Sequence, residues 1–193
     1  MKNIKKEIMR KILHIFGVTI WFVYHYLGYE YTFTYLATCL LISFILELIR
    51  LRKYSWYPFK EITRRLSRKY EKSAFAAHIY FFASATLIVY LLKDIMAIVA
   101  IMTFISSDAM AAIIGMTIGK HKNPIDKKKT IEGTIAGVIV AAIVTGIFLK
   151  PIYAIATAIT FLIIDSIDIK ISDNFTLPLL MGITLRIINM IVG

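Results

Sequence analysis

Seven apolar stretches, each close to the ~20 residues a helix needs to cross about 30 Å of hydrocarbon, constrain this chain more than any other feature. They run from Ile12 to Gly28, Tyr31 to Ile49, Ser73 to Leu92, Asp94 to Ile118, Ile131 to Leu149, Pro151 to Ile169 and Phe175 to Val192. In a chain of 193 residues that is 59% hydrophobic, too little polar surface remains to cover a water-soluble domain. The pattern predicts an all-α, polytopic membrane helical bundle of about seven transmembrane helices, a single membrane-embedded catalytic domain over 1–193. The first stretch has the position of a signal peptide, but no small-residue cleavage pattern follows, so it is expected to be retained as a helix. Cys39, the one cysteine, lies inside an apolar run and permits neither an internal disulfide nor a cysteine-based metal site.

The formal net charge is +11 although only 18% of residues are charged, so the charge is concentrated between the apolar runs. All but three of the 23 Lys and Arg fall in the amino tail or in the second, fourth and sixth connections; Lys93, Lys150 and Arg186 are the exceptions. The positive-inside rule therefore predicts an amino terminus inside and, after seven spans, a carboxyl terminus outside. Trp21, Tyr24, Tyr26, Tyr29 and Tyr31 cluster where the first hairpin meets the outer interface, as amphipathic rings prefer. In the second connection, 50–72, Phe59, Ile62, Leu66 and Tyr70 recur at helical spacing opposite Lys60, Arg64, Arg65 and Arg68. That is the pattern of an amphipathic helix on the inner surface, drawn to anionic lipid. No nucleic-acid-binding module accompanies the basic loop, so the bilayer and not nucleic acid is the expected partner.

Ionisable side chains inside spans are costly and mark function or pairing. In the predicted orientation His14, Glu47, Asp108, Glu132, Asp165, Asp168 and Asp173 all fall in the cytoplasmic half. This segregation predicts one water-accessible cavity opening inward, lined by carboxylates and fringed by basic loops, for an anionic substrate held with a divalent cation. Clustered Asp and Glu without His pairs suit Mg²⁺, which takes oxygen ligands and shares them with phosphates. Glu47 either lines that cavity or pairs with Arg50. His25, His78 and His121 are expected to be structural.

The stretch from Ser107 and Asp108 through Gly115, Gly119 and Lys120 to Lys127, Lys128, Lys129, Thr130, Glu132, Gly133 and Gly137 carries most of the chemistry. Gly115 with Gly119, and Gly133 with Gly137, are spacings that let membrane helices approach closely. Gly115 to Lys120 is one residue short of a P-loop, His121 stands where Ser or Thr is required, and no strand precedes it. Three consecutive lysines instead lead into the start of a helix, where free backbone N–H groups and the positive dipole end favour phosphate. Thr130 can cap that helix, Gly133 leaves room for phosphate against the backbone, and Glu132, one position short of a capping box, is left free for metal or nucleotide. Arg186 and Asp108 are each about 16 to 18 Å from the inner ends of their helices, so opposite charge at equal depth predicts their approach, directly or through substrate phosphate.

Four motifs in order resemble the CTP-dependent lipid kinases, the family of dolichol kinase, phytol kinase and the CTP-using diacylglycerol kinase. Arg10-Lys11-Ile12-Leu13-His14 resembles its Arg-Lys-x-x-His block. Ser107-Asp108-Ala109 with Ala111, Gly115 and Gly119 resembles its Gly-Asp-x-x-Ala-x-x-x-Gly-x-x-x-Gly core, with Ser107 where the family usually has Gly. Lys128-Lys129-Thr130-Ile131-Glu132-Gly133 and Asp173-Asn174-Phe175-Thr176-Leu177-Pro178 resemble its Lys-Lys-Ser/Thr-x-Glu-Gly and Asp-Asn-x-x-x-Pro blocks.

The resemblance implies transfer of the γ-phosphate of CTP to the hydroxyl of a membrane lipid alcohol, of polyprenol, dolichol or diacylglycerol type, at the cytoplasmic face. Asp108 would then hold Mg²⁺ or orient the lipid hydroxyl, with Asp165 and Asp173 as further metal candidates. Lys128, Lys129 and the Gly133 backbone would hold the triphosphate, with Gly115, Gly119, Lys120, Thr130 and Glu132 around it. Arg10 and Lys11 would hold phosphate from the opposite wall, and His14 would order that wall or act as an acid or base. Lipid cytidylyltransferases, which make CDP-lipids, share part of this logic, but their Pro-Gly-His-Gly-Gly run is absent. A transporter with an inward acidic cavity is expected to show broken helices in two related halves.

Overall fold

The computed structural model of the protein describes residues 17–66 and 74–192. Arg10, Lys11 and His14, the beginning of the first apolar stretch, and Arg68 and Tyr70 lie outside the described residues. The chain forms α1 (Val18–Leu27), α2 (Tyr29–Arg52), a 3₁₀ turn (Tyr54–Trp56), α3 (Lys60–Leu66), α4 (Ala77–Leu92), α5 (Ile95–Thr117), α6 (Ile131–Phe148), α7 (Pro151–Ser166) and α8 (Asp173–Val192). Each of the seven apolar stretches yields one helix, and among the described residues the only β pairing is an isolated bridge between Lys122 and Thr130. The fold is an all-α membrane bundle. Of its helices, α2, α5, α6 and α8 are long and apolar enough to cross a membrane, whereas the described parts of α1, α4 and α7 have 10, 16 and 16 residues.

Local sequence explains where the helices break. Gly28, at φ +82, makes the corner between α1 and α2 that a side chain would strain. Lys93 closes α4 in the left-handed region, and Asp94 caps α5 by accepting the Met96 N–H at 2.9 Å. Pro151, already fixed in φ and needing no N–H partner, opens α7. The sixth stretch was expected to stay helical to Ile169; it ends instead at Ser166, where Ile167 turns extended, and 167–172 crosses to α8 as a connecting strap. Pro178 sits inside α8 and has no N–H to give the carbonyl of Asn174.

The innermost helix is α5, whose Ile98, Val99, Ala100, Ile101 and Phe104 are fully buried. It packs chiefly on α6 and α8; α7 covers α6, and α4 lies against α2 and α8. The contacts of α6 with α5 and α7 depend on glycine. A Cβ at Gly133 would stand 2.6 Å from the Ala111 carbonyl oxygen, and one at Gly137 would strike the Phe161 ring. Thr145 joins Thr103 at 3.0 Å and Thr157 at 2.9 Å, so buried hydroxyls satisfy one another across α5, α6 and α7. Ser107 is also buried and returns its hydroxyl to the Thr103 carbonyl at 2.7 Å, which explains how a residue larger than glycine is accommodated there.

Glu47 resolves to ion pairing. Its carboxylate receives Arg50 at 2.7 and 2.8 Å, both side chains are buried, and the pair also takes the Ala76 N–H and gives a bond to the Ala74 carbonyl. The carboxyl end of α2 is thereby tied to the start of α4. Arg50→Met should destabilise the detergent-solubilised protein by about 3 kcal/mol, because it leaves a buried carboxylate uncompensated. Chemical denaturation reads this directly. The double replacement Glu47→Leu with Arg50→Met should cost less than Arg50→Met alone, and a larger cost would mean that the pair is not the source.

Candidate functional site

A cavity of about 1050 Å³ opens where the carboxyl end of α5 and the amino ends of α6 and α8 meet the 118–130 loop and the 167–172 strap. Nine of the expected site residues line it: Asp108, Gly115, Gly119, Lys128, Lys129, Thr130, Gly133, Asp165 and Asp173. Asp108 lies nine residues before the end of α5, about 14 Å up the helix. Ala77 and Tyr80 of α4, Phe75 just before it, and Ala111 and Ala112 of α5 make an apolar wall on its side.

Lys129 is the electrostatic centre. Its Nζ is buried and lies 2.9 Å from both Asp165 Oδ1 and Asp173 Oδ2, at angles short of hydrogen-bond geometry. Burial alone would lower the Lys129 pKa, but Asp173 and Asp165 outweigh it and hold the ammonium above the usual lysine range. Asp165 also accepts the Thr134 hydroxyl at 2.6 Å, and the charges of Asp108 and Asp165 both bear on Asp173. Lys128 stands at the exposed mouth with Asp168 at 3.1 Å, and that hydrogen bond raises its pKa. Lysine and carboxylate therefore alternate across the cavity floor.

The start of α6 differs from expectation. Thr130 does cap it, accepting the Gly133 N–H at 3.3 Å, but the Ile131 N–H goes to the His121 carbonyl. Two of the backbone donors expected to face phosphate are already used. Nor does Gly133 leave a vacancy, since α5 fills that space. Glu132 is not free: it accepts the backbone N–H groups of Lys120 and His121 at 3.1 Å and the His121 ring at 2.7 Å. Glu132 and Lys120 thus shape the loop from outside the cavity lining, and His121 is structural as expected. The lysines that line the cavity are Lys122, Lys128, Lys129 and Lys170.

Arg186 is a second correction. Its guanidinium lies 3.5 Å from Asp94, fourteen residues or about 21 Å along α5 from Asp108. Depth matching failed because Arg186 is only six residues from the end of α8, so its long side chain runs to the nearer rim. Arg186→Leu should accordingly change turnover by less than about twofold, as for other half-exposed pairs. Steady-state kinetics with the purified protein checks this, and a tenfold loss would return Arg186 to the site.

For Mg²⁺ the donor set is suited but partly engaged. Among the described residues no three His, Cys, Asp or Glu side chains converge as a ready cage. Mg²⁺ usually takes one or two carboxylates and completes its shell with water and phosphate, which Asp108 and Asp173 fit. Sequence reasoning missed Asn123 and Asp126, both 5% exposed, whose turn-forming types in Asn123-Pro124-Ile125-Asp126 were the available signal.

The fold and the site together are those of a helical membrane bundle with a lysine-and-carboxylate cavity at one end of its helices. Residues 1–191 match the family model of the cytidylyltransferase family, and the chain belongs to that family. It is a CTP-using enzyme of lipid metabolism, in agreement with the motifs shared with CTP-dependent lipid kinases. No curated protein and no solved structure matches the chain.

Proposed function

We propose that the protein is a CTP-dependent lipid kinase, transferring the γ-phosphate of CTP to the hydroxyl of a polyprenol, dolichol or diacylglycerol-type alcohol at the cytoplasmic face. The observation that carries this reading is that one cavity is lined both by Lys128 and Lys129 and by Asp108 with the apolar wall of Ala77, Tyr80, Ala111 and Ala112. A neutral alcohol is compatible with a carboxylate in such a wall. A lipid phosphate, the acceptor of a cytidylyltransferase, would bring negative charge against it.

Phosphoryl transfer needs mainly positioning and charge stabilisation. Lys129 and Lys128 would draw the triphosphate to the cavity mouth, and Asp108 would orient the acceptor hydroxyl and receive its proton. Asp108 and Asp173 would hold Mg²⁺, which supplies neutralisation of the phosphate charge. The apolar wall would keep water from competing with the alcohol for the γ-phosphate.

The family match makes transfer of the cytidylyl group the second reading. Paired assays with γ-labelled and α-labelled CTP and a panel of polyprenols, diacylglycerol and their phosphates separate the two. Label reaching lipid only from the γ position, with CDP released, supports the kinase. Label reaching lipid only from the α position, with pyrophosphate released, makes the enzyme a cytidylyltransferase, and substitution of ATP for CTP tests the nucleotide.

A further inference from the structure

Three consecutive lysines at 127–129 lie in a turn, yet only the last enters the carboxylate centre and only the second meets Asp168. Something must set that register. Asn123 Oδ1 accepts the N–H groups of Ile125 at 2.8 Å and Asp126 at 3.2 Å, and its own N–H reaches the Lys129 carbonyl at 3.1 Å. Asp126 Oδ1 accepts the Lys128 N–H at 3.0 Å, and its carbonyl accepts the Lys129 N–H at 3.0 Å. Of the two buried side chains, Asp126 thus holds the lysine backbone directly, at Lys128, while Asn123 fixes the turn that leads into it by holding the Ile125 and Asp126 N–H groups. The Lys122–Thr130 bridge and the Ile131 N–H to His121 carbonyl bond then close the loop onto α6.

We infer that Asn123 and Asp126 are the positioning residues that select which lysines face the triphosphate, by fixing the backbone register of 127–129 through side-chain acceptors. This deepens the nucleotide half of the proposed function and rests on that reading only for the name of the nucleotide. The physical case has two parts. A lysine side chain is a flexible point charge with four rotatable carbons, so an unfixed run of three loses most of its directional value to entropy. The Ile131 and Gly133 N–H groups at the start of α6 are already taken, so lysine placement is what distinguishes a phosphate clamp from a solvated basic loop. Neither residue needs to touch the substrate: each acts through Lys128 and Lys129.

Inorganic tripolyphosphate is the probe, because it measures the clamp whether the γ or the α phosphorus is attacked. Calorimetric titration of the purified full chain is expected to show that Asn123→Ala and Asp126→Ala weaken binding about tenfold, the loss of roughly one charge-assisted contact. Asn123→Asp and Asp126→Asn, which keep an acceptor oxygen, should stay within about threefold of the original chain. In turnover assays the alanine variants should raise the CTP KM while leaving the lipid KM and kcat within about twofold, a split that general loosening of the bundle would not produce. Wild-type affinity in the alanine variants overturns the inference. Equal loss in the acceptor-retaining variants, or no tripolyphosphate binding by the original chain, overturns it as well. Tenfold weakening in a protein that turns over no lipid alcohol sustains it while removing the kinase reading.

Discussion

Asp108→Asn is expected to abolish transfer of the γ-phosphate of CTP, by about 10³-fold or more, in a protein that still inserts and folds. The replacement keeps size and shape and removes one negative charge. In the proposed function it takes away the proton acceptor and the hard oxygen ligand, a carboxylate placed about 14 Å up α5 at the cavity lining. Stability should change little, because Asp108 lies at the cavity wall and outside the fully buried centre of α5. Turnover of γ-labelled CTP beside a thermal melt in detergent is the measurement, and near-normal turnover would remove Asp108 from the reaction.

Lys129→Ala has the second large effect and acts on both stability and nucleotide. Asp165 and Asp173 now share one buried ammonium; without it two carboxylates face each other, and the loss should be about 3 kcal/mol of folding free energy. In the proposed function Lys129 also draws the triphosphate, so the CTP KM should rise more than the lipid KM. A useful internal control is Lys129→Ala with Asp165→Asn, which relieves the repulsion and should recover stability without recovering nucleotide affinity. The sign of the pH dependence also follows. The folded-state pKa of Lys129 is raised, so its stabilisation is complete below the ordinary lysine value and is lost only as pH rises through and beyond it. Denaturation midpoints measured from neutral to strongly alkaline pH should therefore fall more steeply in the original chain than in Lys129→Ala. An unchanged CTP KM with a raised lipid KM would assign the loop to the other substrate.

Much of the site was legible because it depended on residue type and short spacing. Thr130 as a cap, Gly133 and Gly137 as points of helix contact, and the gathering of Asp108, Asp165, Asp173, Lys128 and Lys129 at one end all follow from helical periodicity and the cost of charge in hydrocarbon. The errors came where partners were distant in sequence. Glu132 was free by its capping-box offset, yet a loop closing from residues 120 and 121 claimed it. Arg186 matched Asp108 in depth, yet Asp94 at the opposite rim was nearer to its extended side chain.

The sequence by itself determined the class of fold and the composition of the site, since apolar runs of membrane length admit few structures other than helices with satisfied backbones. It also determined which end of the bundle carries the chemistry, because ionisable groups and the lysine run are segregated along the chain. Only the tertiary structure decided which charges meet. Lys129 between Asp165 and Asp173, the register of the lysine loop under Asn123 and Asp126, and the diversion of Arg186 to Asp94 are settled by side-chain reach of a few ångströms between helices far apart in sequence. Periodicity fixes a residue's height and face on its own helix, but not the rotation of the neighbouring helix or the path of the loop between them, and an ion pair depends on all three.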